Sequence, residues 1–129
     1  MLTISELKIG DVVRADFEGQ FRVGEIEEIN AVIHQALVHH GENDLWYNLS
    51  DLYAVPMNED HLVEFGFLKS PDGQKWVRGP FTLTFVPDEE HGAILHYRDE
   101  TRYVHDLRFM HQLQNHYLAM TNFGLSMAI

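Results

Sequence analysis

Residues 10–24 read GDVVRADFEGQFRVG, and this stretch decides how the first half of the chain folds. Apolar and polar side chains alternate from Val12 to Phe17, and a period of two is typical of a half-buried β-strand. Glu18-Gly19 predicts a tight turn, after which the alternation resumes with Phe21 and Val23 on one face. The stretch therefore predicts two strands joined by a tight turn, with a bulge or sharp bend at Gly24.

Short strands continue outward from this pair as far as Pro56. Residues 31–40, 45–49 and 52–55 each combine apolar or β-branched residues with turn residues on either side. Five short strands within about 55 residues favour a small barrel or a strongly curved sheet. We therefore predict a small β-barrel-like lobe, of the Src-homology-3-like type, over residues 1–56.

The second half of the chain predicts a short helix, a meander of strands and a long C-terminal helix. Asn58 is a good N-cap and Gly66 a good C-terminal residue, so two helical turns are expected between them. Alternation over residues 75–104 predicts an antiparallel meander. Apolar residues from Phe109 to Met120 fall on one arc at 100° per residue, which predicts a helix over residues 105–123 that covers the sheet. The predicted class is α+β, with residues 57–129 forming a second lobe or one continuous domain with the first.

The charge balance argues against several classes of function. Nine Lys or Arg residues stand against 20 Asp or Glu residues, for a formal net charge of −11 over 129 residues. Because nucleic-acid affinity comes largely from Lys and Arg displacing counterions, and the cationic residues are scattered singly, we expect no direct nucleic-acid binding. The sequence has no cysteine, which excludes disulfides, thiolate metal sites and cysteine nucleophiles. Without a signal-peptide pattern or an apolar run of about 20 residues, we expect a cytoplasmic protein with no membrane segment.

Three segments, taken together, carry a resemblance to a known family. The first is Leu7-Lys8-Ile9-Gly10-Asp11 with Val13, the second runs over residues 52–62 and on to Phe65-Gly66-Phe67, and the third is MHQLQNHYLAMT at residues 110–121. In this order and spacing they resemble a family of small uncharacterised proteins carried on phage-derived and other mobile segments of anaerobic gut bacteria. The sequence departs from that family at His116, where the family has an apolar residue, and at residues 105–107, which nearly duplicate residues 111–113. The resemblance implies a genetic setting and no catalytic residues.

Nine histidines raise the question of a metal site. His105 and His116 would share a face of the predicted C-terminal helix and are the candidate ligands. A protein metal site needs three or four converging ligands, and the sequence has no HExxH, HxH or two-histidine-plus-carboxylate pattern. We therefore interpret the histidines as surface or half-buried residues, and we predict no metal, no cofactor and no catalytic residue.

Aromatic residues at strand positions give the best sequence argument for binding. Trp46, Tyr47 and Tyr53 lie around the end of the first predicted lobe, and Trp76 lies near the start of the second sheet. Small barrels often bind peptides in grooves lined by such side chains, although Trp and Tyr in strands also commonly belong to the core. We predict an aromatic groove formed by Trp46, Tyr47, Tyr53 and Trp76.

These observations favour a non-enzymatic interaction or accessory module whose partner is another protein, or a second copy of the chain in a homodimer. Two alternatives stay open. The first alternative is a DNA mimic that inhibits a nucleic-acid enzyme. Its acidic residues would present a phosphate-like array, and the candidates are Glu25, Glu27, Glu28 and Asp88-Glu89-Glu90. The second alternative is a small metal-dependent hydrolase. Its metal would be bound by His105, His116 and an acidic residue.

Overall fold

The chain divides into two compact units, Met1–Val55 and Pro56–Ile129. A computed structural model describes residues 2–127, so residues 1, 128 and 129 of the predicted lobes lie outside the described part. Each unit contains a five-stranded antiparallel sheet, and helices are few. The predicted α+β class is therefore confirmed. No helix within residues 2–127 is both long enough and apolar enough to cross a membrane.

The first unit is a meander whose last strand returns to pair with its first. The strand order is β4-β3-β2-β1-β5, with two 3₁₀ turns at Ile4–Glu6 and Leu49–Asp51. In the first turn, the Thr3 amide donates to Glu6 Oε1 at 2.6 Å, as expected for a capping residue. The five strands are β1 (Val12–Phe17), β2 (Gln20–Asn30), β3 (Gln35–His40), β4 (Asn43–Asn48) and β5 (Leu52–Ala54).

The first sheet is open, which corrects the predicted barrel. β4 and β5 lie at opposite ends of the strand order and do not pair with each other within the described residues. β5 has only three residues, Leu52–Ala54, and all of them pair with β1. The alternating pattern that predicts strands carries no information on whether the first and last strands of a curved sheet meet.

One side of the first sheet forms the core of this unit. Val13 and Ala15 on β1 have no exposed surface, and the same holds for Ala36 and Val38 on β3. They pack in a cluster with Leu49 of the second 3₁₀ turn, and Ile4 of the first turn packs against this cluster. The remaining members of the cluster are Leu2, Leu7, Ile26, Tyr47 and Leu52.

A β-bulge interrupts β2, but it lies beyond the predicted position. Gly24 pairs in regular register with Val13, whereas the register between β2 and β3 shifts between Ile26 and Glu28. The extra residue of the bulge is Glu27. Gly24 is needed for another reason: a Cβ atom there would lie 2.5 Å from the carbonyl oxygen of His39. The glycine therefore permits close strand contact instead of a bend.

The second unit begins with a short helix, as predicted. α1 covers Glu59–Glu64, and the side chain of Asn58 caps it by accepting a hydrogen bond from the His61 amide at 2.8 Å. The second sheet then follows as a simple meander in the order β10-β9-β8-β7-β6. Its strands are β6 (Leu68–Lys69), β7 (Lys75–Arg78), β8 (Phe81–Phe85), β9 (Ala93–Tyr97) and β10 (Glu100–Val104).

The C-terminal helix is shorter than predicted. α2 covers Met110–Thr121 and ends at Asn122, which adopts a left-handed conformation with φ of 63°. The predicted first turn, residues 105–109, is not helical because its backbone groups bond elsewhere. The Leu107 amide donates to the His91 carbonyl at 2.8 Å, and the Arg108 carbonyl accepts from the Met57 amide at 2.9 Å. The Arg108 carbonyl is therefore taken by Met57 and does not accept a helical bond, and the bond of Leu107 holds this segment against His91.

α2 covers the inner face of the second sheet, as expected. The ring of Tyr117 lies 4.7 Å from the ring of Phe81, and its hydroxyl accepts a hydrogen bond from Arg78 Nη1 at 2.6 Å. Met110 and Leu113 on the same side of the helix have no exposed surface. The helix therefore removes from water the apolar face that the meander alone would expose.

Replacing Gly24 with alanine is expected to destabilise the first unit. The added Cβ atom meets the backbone of β3 at 2.5 Å, and overpacking of this kind typically costs about 2 kcal/mol. Urea denaturation of Gly24→Ala measures the loss. Gly124→Ala is the matched control, since a Cβ atom there meets nothing within 4 Å. Equal midpoints for the two variants would contradict the close approach of β2 and β3.

Candidate functional site

Strand register assembles a set of polar and aromatic side chains on the side of the first sheet opposite its core. Directly opposite residues in antiparallel strands point to the same side. Arg14 faces Tyr53 on one neighbour and Val23 on the other, and further along the sheet Leu37 faces Trp46. We call this side the outer face; it comprises Arg14, Asp16, Phe21, Val23, Glu25, Glu27, Glu28, Leu37, His39, Asp44, Trp46 and Tyr53.

One end of the outer face is aromatic and internally ordered. The rings of Phe21 and Tyr53 meet edge to face with centroids 5.8 Å apart. The Arg14 guanidinium lies 4.3 Å from the Phe21 centroid and 5.9 Å from that of Tyr53, which are cation–π distances. Even so, Phe21 is 54% exposed and Tyr53 37%. The two rings are therefore held in place while much of their surface is free to contact a ligand.

The other end of the outer face is acidic and surrounds one histidine. His39 lies in a row between Glu25 on β2 and Asp44 on β4. Its Nδ1 donates to Asp44 Oδ1 at 2.5 Å and lies 3.6 Å from Glu27 Oε1. Glu27 reaches this row because the bulge leaves it without a directly opposite residue on β3, and bulges commonly redirect a side chain in this way.

The three ionisable groups at this end influence one another. The hydrogen bond to Asp44 raises the pKa of His39 above its ordinary value of 6.5. The same hydrogen bond lowers the pKa of Asp44. Partial desolvation, followed by a hydrogen bond with Asp44, raises the pKa of Glu27. Glu27, His39 and Asp44 thus form one titrating cluster, whose charge depends on how the protons are shared.

The structure separates the four residues of the predicted aromatic groove. Trp46 and Tyr53 both lie on the outer face, with Trp46 47% exposed. Tyr47 points the other way, into the core, where its hydroxyl bonds to His40 Nε2 at 2.9 Å. Trp76 belongs to the second unit and is buried, with Lys69 Nζ 5.8 Å from its ring centroid. Two of the four residues are therefore available on one surface.

The two histidines considered as metal ligands lie on different elements. His105 precedes α2 and lines a small concavity of about 400 Å³ with Glu89, His91 and Arg108. His116 lies on α2 and is half-buried, and burial followed by the Arg102 charge lowers its pKa. Their expected place on a common helix face is wrong, because residue 105 is not helical. Within residues 2–127, the histidine that does converge with two carboxylates is His39.

The first unit also has a concave region, which contains no cluster of ionisable groups like that of Glu27, His39 and Asp44. A cavity of about 600 Å³ lies between the two 3₁₀ turns and the β2–β3 turn. Its walls are largely apolar, and its one titratable side chain is His34. Such a cavity can accept an apolar group, but it offers no paired acid and base for catalysis.

Sequence reasoning missed Phe21 and the Glu27–His39–Asp44 cluster. The alternation places Phe21 on a strand face but does not indicate which face of the sheet is buried. The run Glu25-Ile26-Glu27-Glu28 did contain a signal, since two adjacent acids after a regular alternation break the period of two. That break is what a bulge produces, and it marks where Glu27 leaves the regular pairing.

Comparisons of the chain with protein-family models, with curated proteins and with solved structures find no match. The function is therefore argued from the geometry of the outer face.

The titration of His39 tests the cluster directly. Because its folded pKa is raised, its pairing with Asp44 stabilises the fold below pH 6.5, and that stabilisation is lost as pH rises through the folded pKa. We expect the His39 ring signals to titrate above 6.5 in NMR spectra, and Asp44→Asn to lower that midpoint. Asp72→Asn is the control, because it removes an exposed carboxylate in the second unit, and it should leave the His39 midpoint unchanged. A His39 midpoint that does not respond to Asp44→Asn would rule out the hydrogen bond.

Proposed function

We propose that this protein is a non-enzymatic interaction module, and that the outer face of its first sheet binds a basic, extended segment of another protein. The observation that carries the proposal is the placement of exposed aromatic side chains and a cluster of acids on one sheet face. Aromatic and apolar residues supply most of the binding energy at protein interfaces, and charges select the partner.

The aromatic end supplies the anchoring surface. Phe21 and Tyr53 contact each other and Arg14, so partner binding does not have to order them from a mobile state. Preordered side chains reduce the entropic cost of association. Val23, which is 36% exposed, extends this apolar surface along β2. A partner segment is expected to place an aromatic or aliphatic side chain here.

The acidic end selects the charge of the partner. Glu25, Glu27, Glu28 and Asp44 outnumber His39 on this part of the face, and the whole chain carries −11. A segment with Lys or Arg is attracted to such a surface, and an acidic segment is repelled. Trp46 lies two residues from Asp44 on β4, where it can contact the aliphatic part of a long cationic side chain.

The same acids support a second candidate, the DNA-mimic inhibitor. The four carboxylates at the acidic end of the outer face form an array of the kind that such a protein presents. The other acidic run considered for it, Asp88-Glu89-Glu90, belongs to the second unit. Exposed Trp46 beside the acids favours a peptide ligand, because a phosphate-like surface requires charge and has no use for an aromatic anchor.

A phage-derived or mobile genetic setting is also proposed, and it rests on the three sequence motifs at residues 7–13, 52–67 and 110–121. An accessory protein that binds a basic segment of another protein is compatible with that setting.

Selection of random linear peptides on the immobilised full chain tests the proposed function. Selected peptides are expected to contain Lys or Arg near an aromatic or aliphatic residue, and to bind more weakly as salt rises. Phe21→Ser and Trp46→Ser should each weaken binding about tenfold or more, measured by fluorescence polarisation with a chelator present. Because both residues are exposed, these variants should remain folded.

Phe123→Ser is the matched control for the peptide experiment, since Phe123 is 67% exposed and belongs to the second unit. It removes the same side chain and should leave affinity within about twofold. Enrichment of acidic peptides, or an equal loss of affinity in Phe21→Ser and Phe123→Ser, would overturn the proposal. Failure to bind any peptide, together with salt-sensitive binding to a nucleic-acid enzyme, would favour the DNA mimic.

A further inference from the structure

Three adjacent strands bring one imidazole and two carboxylates together at the acidic end of the outer face. Glu27 comes from the bulge in β2, His39 from β3 and Asp44 from β4. Each offers one ligand atom, and these three atoms lie within 4.8 Å of one another. Because the strands are hydrogen-bonded neighbours, the backbone holds the three residues next to one another, and their side chains can rotate toward a common point.

The spacing of the ligand atoms suits a single transition-metal ion after small side-chain rotations. Around a tetrahedral Zn²⁺ with bonds of about 2.0–2.1 Å, ligand atoms lie about 3.3 Å apart. The distance from His39 Nδ1 to Glu27 Oε1 is 3.6 Å, and the distance to Asp44 Oδ1 is 2.5 Å. An ion would therefore need Asp44 to move away from the imidazole by less than about 1 Å.

We propose that Glu27, His39 and Asp44 form a binding site for a divalent transition-metal ion of the Zn²⁺ class. An imidazole nitrogen with two carboxylate oxygens favours such ions over Mg²⁺ and Ca²⁺, which prefer oxygen ligands alone. The three side chains are each 41–46% exposed. The ion would thus keep at least one coordination position open to water or to a group from a partner.

The protonation of the cluster indicates what an ion would replace. His39 Nδ1 shares a hydrogen with Asp44 Oδ1, and an ion bound to both atoms would take the place of that hydrogen. A metal ion binds only the unprotonated imidazole nitrogen, so its affinity should increase between pH 5 and pH 8.

The site does not depend on the proposed peptide binding, and the two can be tested apart. Metal binding is measured on the full chain without peptide, and peptide binding is measured with a chelator. If both occur, the ion reduces the negative charge of the outer face, so Zn²⁺ should weaken the binding of a basic peptide. A chain that binds Zn²⁺ but no basic peptide would contradict the proposed function alone. A chain that binds basic peptides but no Zn²⁺ would contradict the metal site alone.

Titration with Zn²⁺ and with Co²⁺ tests the site. We expect one saturable Zn²⁺ per chain by calorimetry, and quenching by Co²⁺ of the fluorescence of Trp46, which lies two residues from Asp44 on the same face. The chain has two tryptophans, and the other, Trp76, is 4% exposed and belongs to the second unit. Trp46→Phe should abolish the quenching and leave the Zn²⁺ stoichiometry unchanged.

Charge-matched variants identify the ligands. Glu27→Gln and His39→Gln should each weaken Zn²⁺ binding at least tenfold. Glu28→Gln removes the same charge as Glu27→Gln, one residue away, and should weaken Zn²⁺ binding less than about threefold. His61→Gln is the histidine control, because His61 pairs with a single carboxylate, Glu64, at 3.4 Å. Zn²⁺-induced shifts of the His39 ring signals in NMR spectra confirm binding in the folded chain.

Three results would overturn the metal site. The first is the absence of saturable Zn²⁺ binding at pH 8. The second is an equal loss of Zn²⁺ affinity in Glu27→Gln and Glu28→Gln, which would show that Zn²⁺ is attracted by the overall negative charge and not by specific ligands. The third is Mg²⁺ or Ca²⁺ binding as tight as Zn²⁺, which would exclude an imidazole ligand.

Discussion

One extra residue in β2 controls the chemistry of the first unit. Without the bulge between Ile26 and Glu28, every side chain of β2 would continue its strict alternation between core and solvent. Glu27 would then follow Ile26 in regular order, and Glu28 would take the side of the core. The bulge instead leaves Ile26 buried and sets Glu27 and Glu28 on the outer face. The bulge therefore keeps Glu28 out of the core and leaves Glu27, next to His39, without a directly opposite residue on β3.

The close approach of β2 and β3 supports the same arrangement. Gly24 lets the backbone of β3 come near, since a side chain there would collide with the His39 carbonyl. His39 is therefore fixed by its own backbone next to β2, and its ring is oriented by Asp44 from the other side. A histidine that contacts two carboxylates from neighbouring strands differs from an isolated surface ion pair, which usually contributes little to stability.

The two units use their sheets differently. In the second unit, α2 covers the inner face, and Tyr117 contacts Phe81 and bonds to Arg78. In the first unit, the 3₁₀ turns close the core side, while the outer face keeps Phe21, Tyr53 and Trp46 partly exposed. Because exposed aromatic side chains are costly to keep in water, their presence on an ordered sheet face is the reason why we propose binding there.

The sequence by itself determined the α+β class, most strands of the two meanders and the short helix capped by Asn58, because alternation and capping are local properties of the chain. It did not indicate β6, because the two residues Leu68–Lys69 are too few to show an alternating pattern. It did not determine that the first sheet stays open, that residues 105–109 bond to His91 and Met57 rather than continue α2, or that Tyr47 and Trp46 face opposite sides. It also could not bring Glu27, His39 and Asp44 together. Those outcomes were decided by strand register and by long-range backbone hydrogen bonds, whose partners are distant in sequence and become neighbours only when the sheet forms.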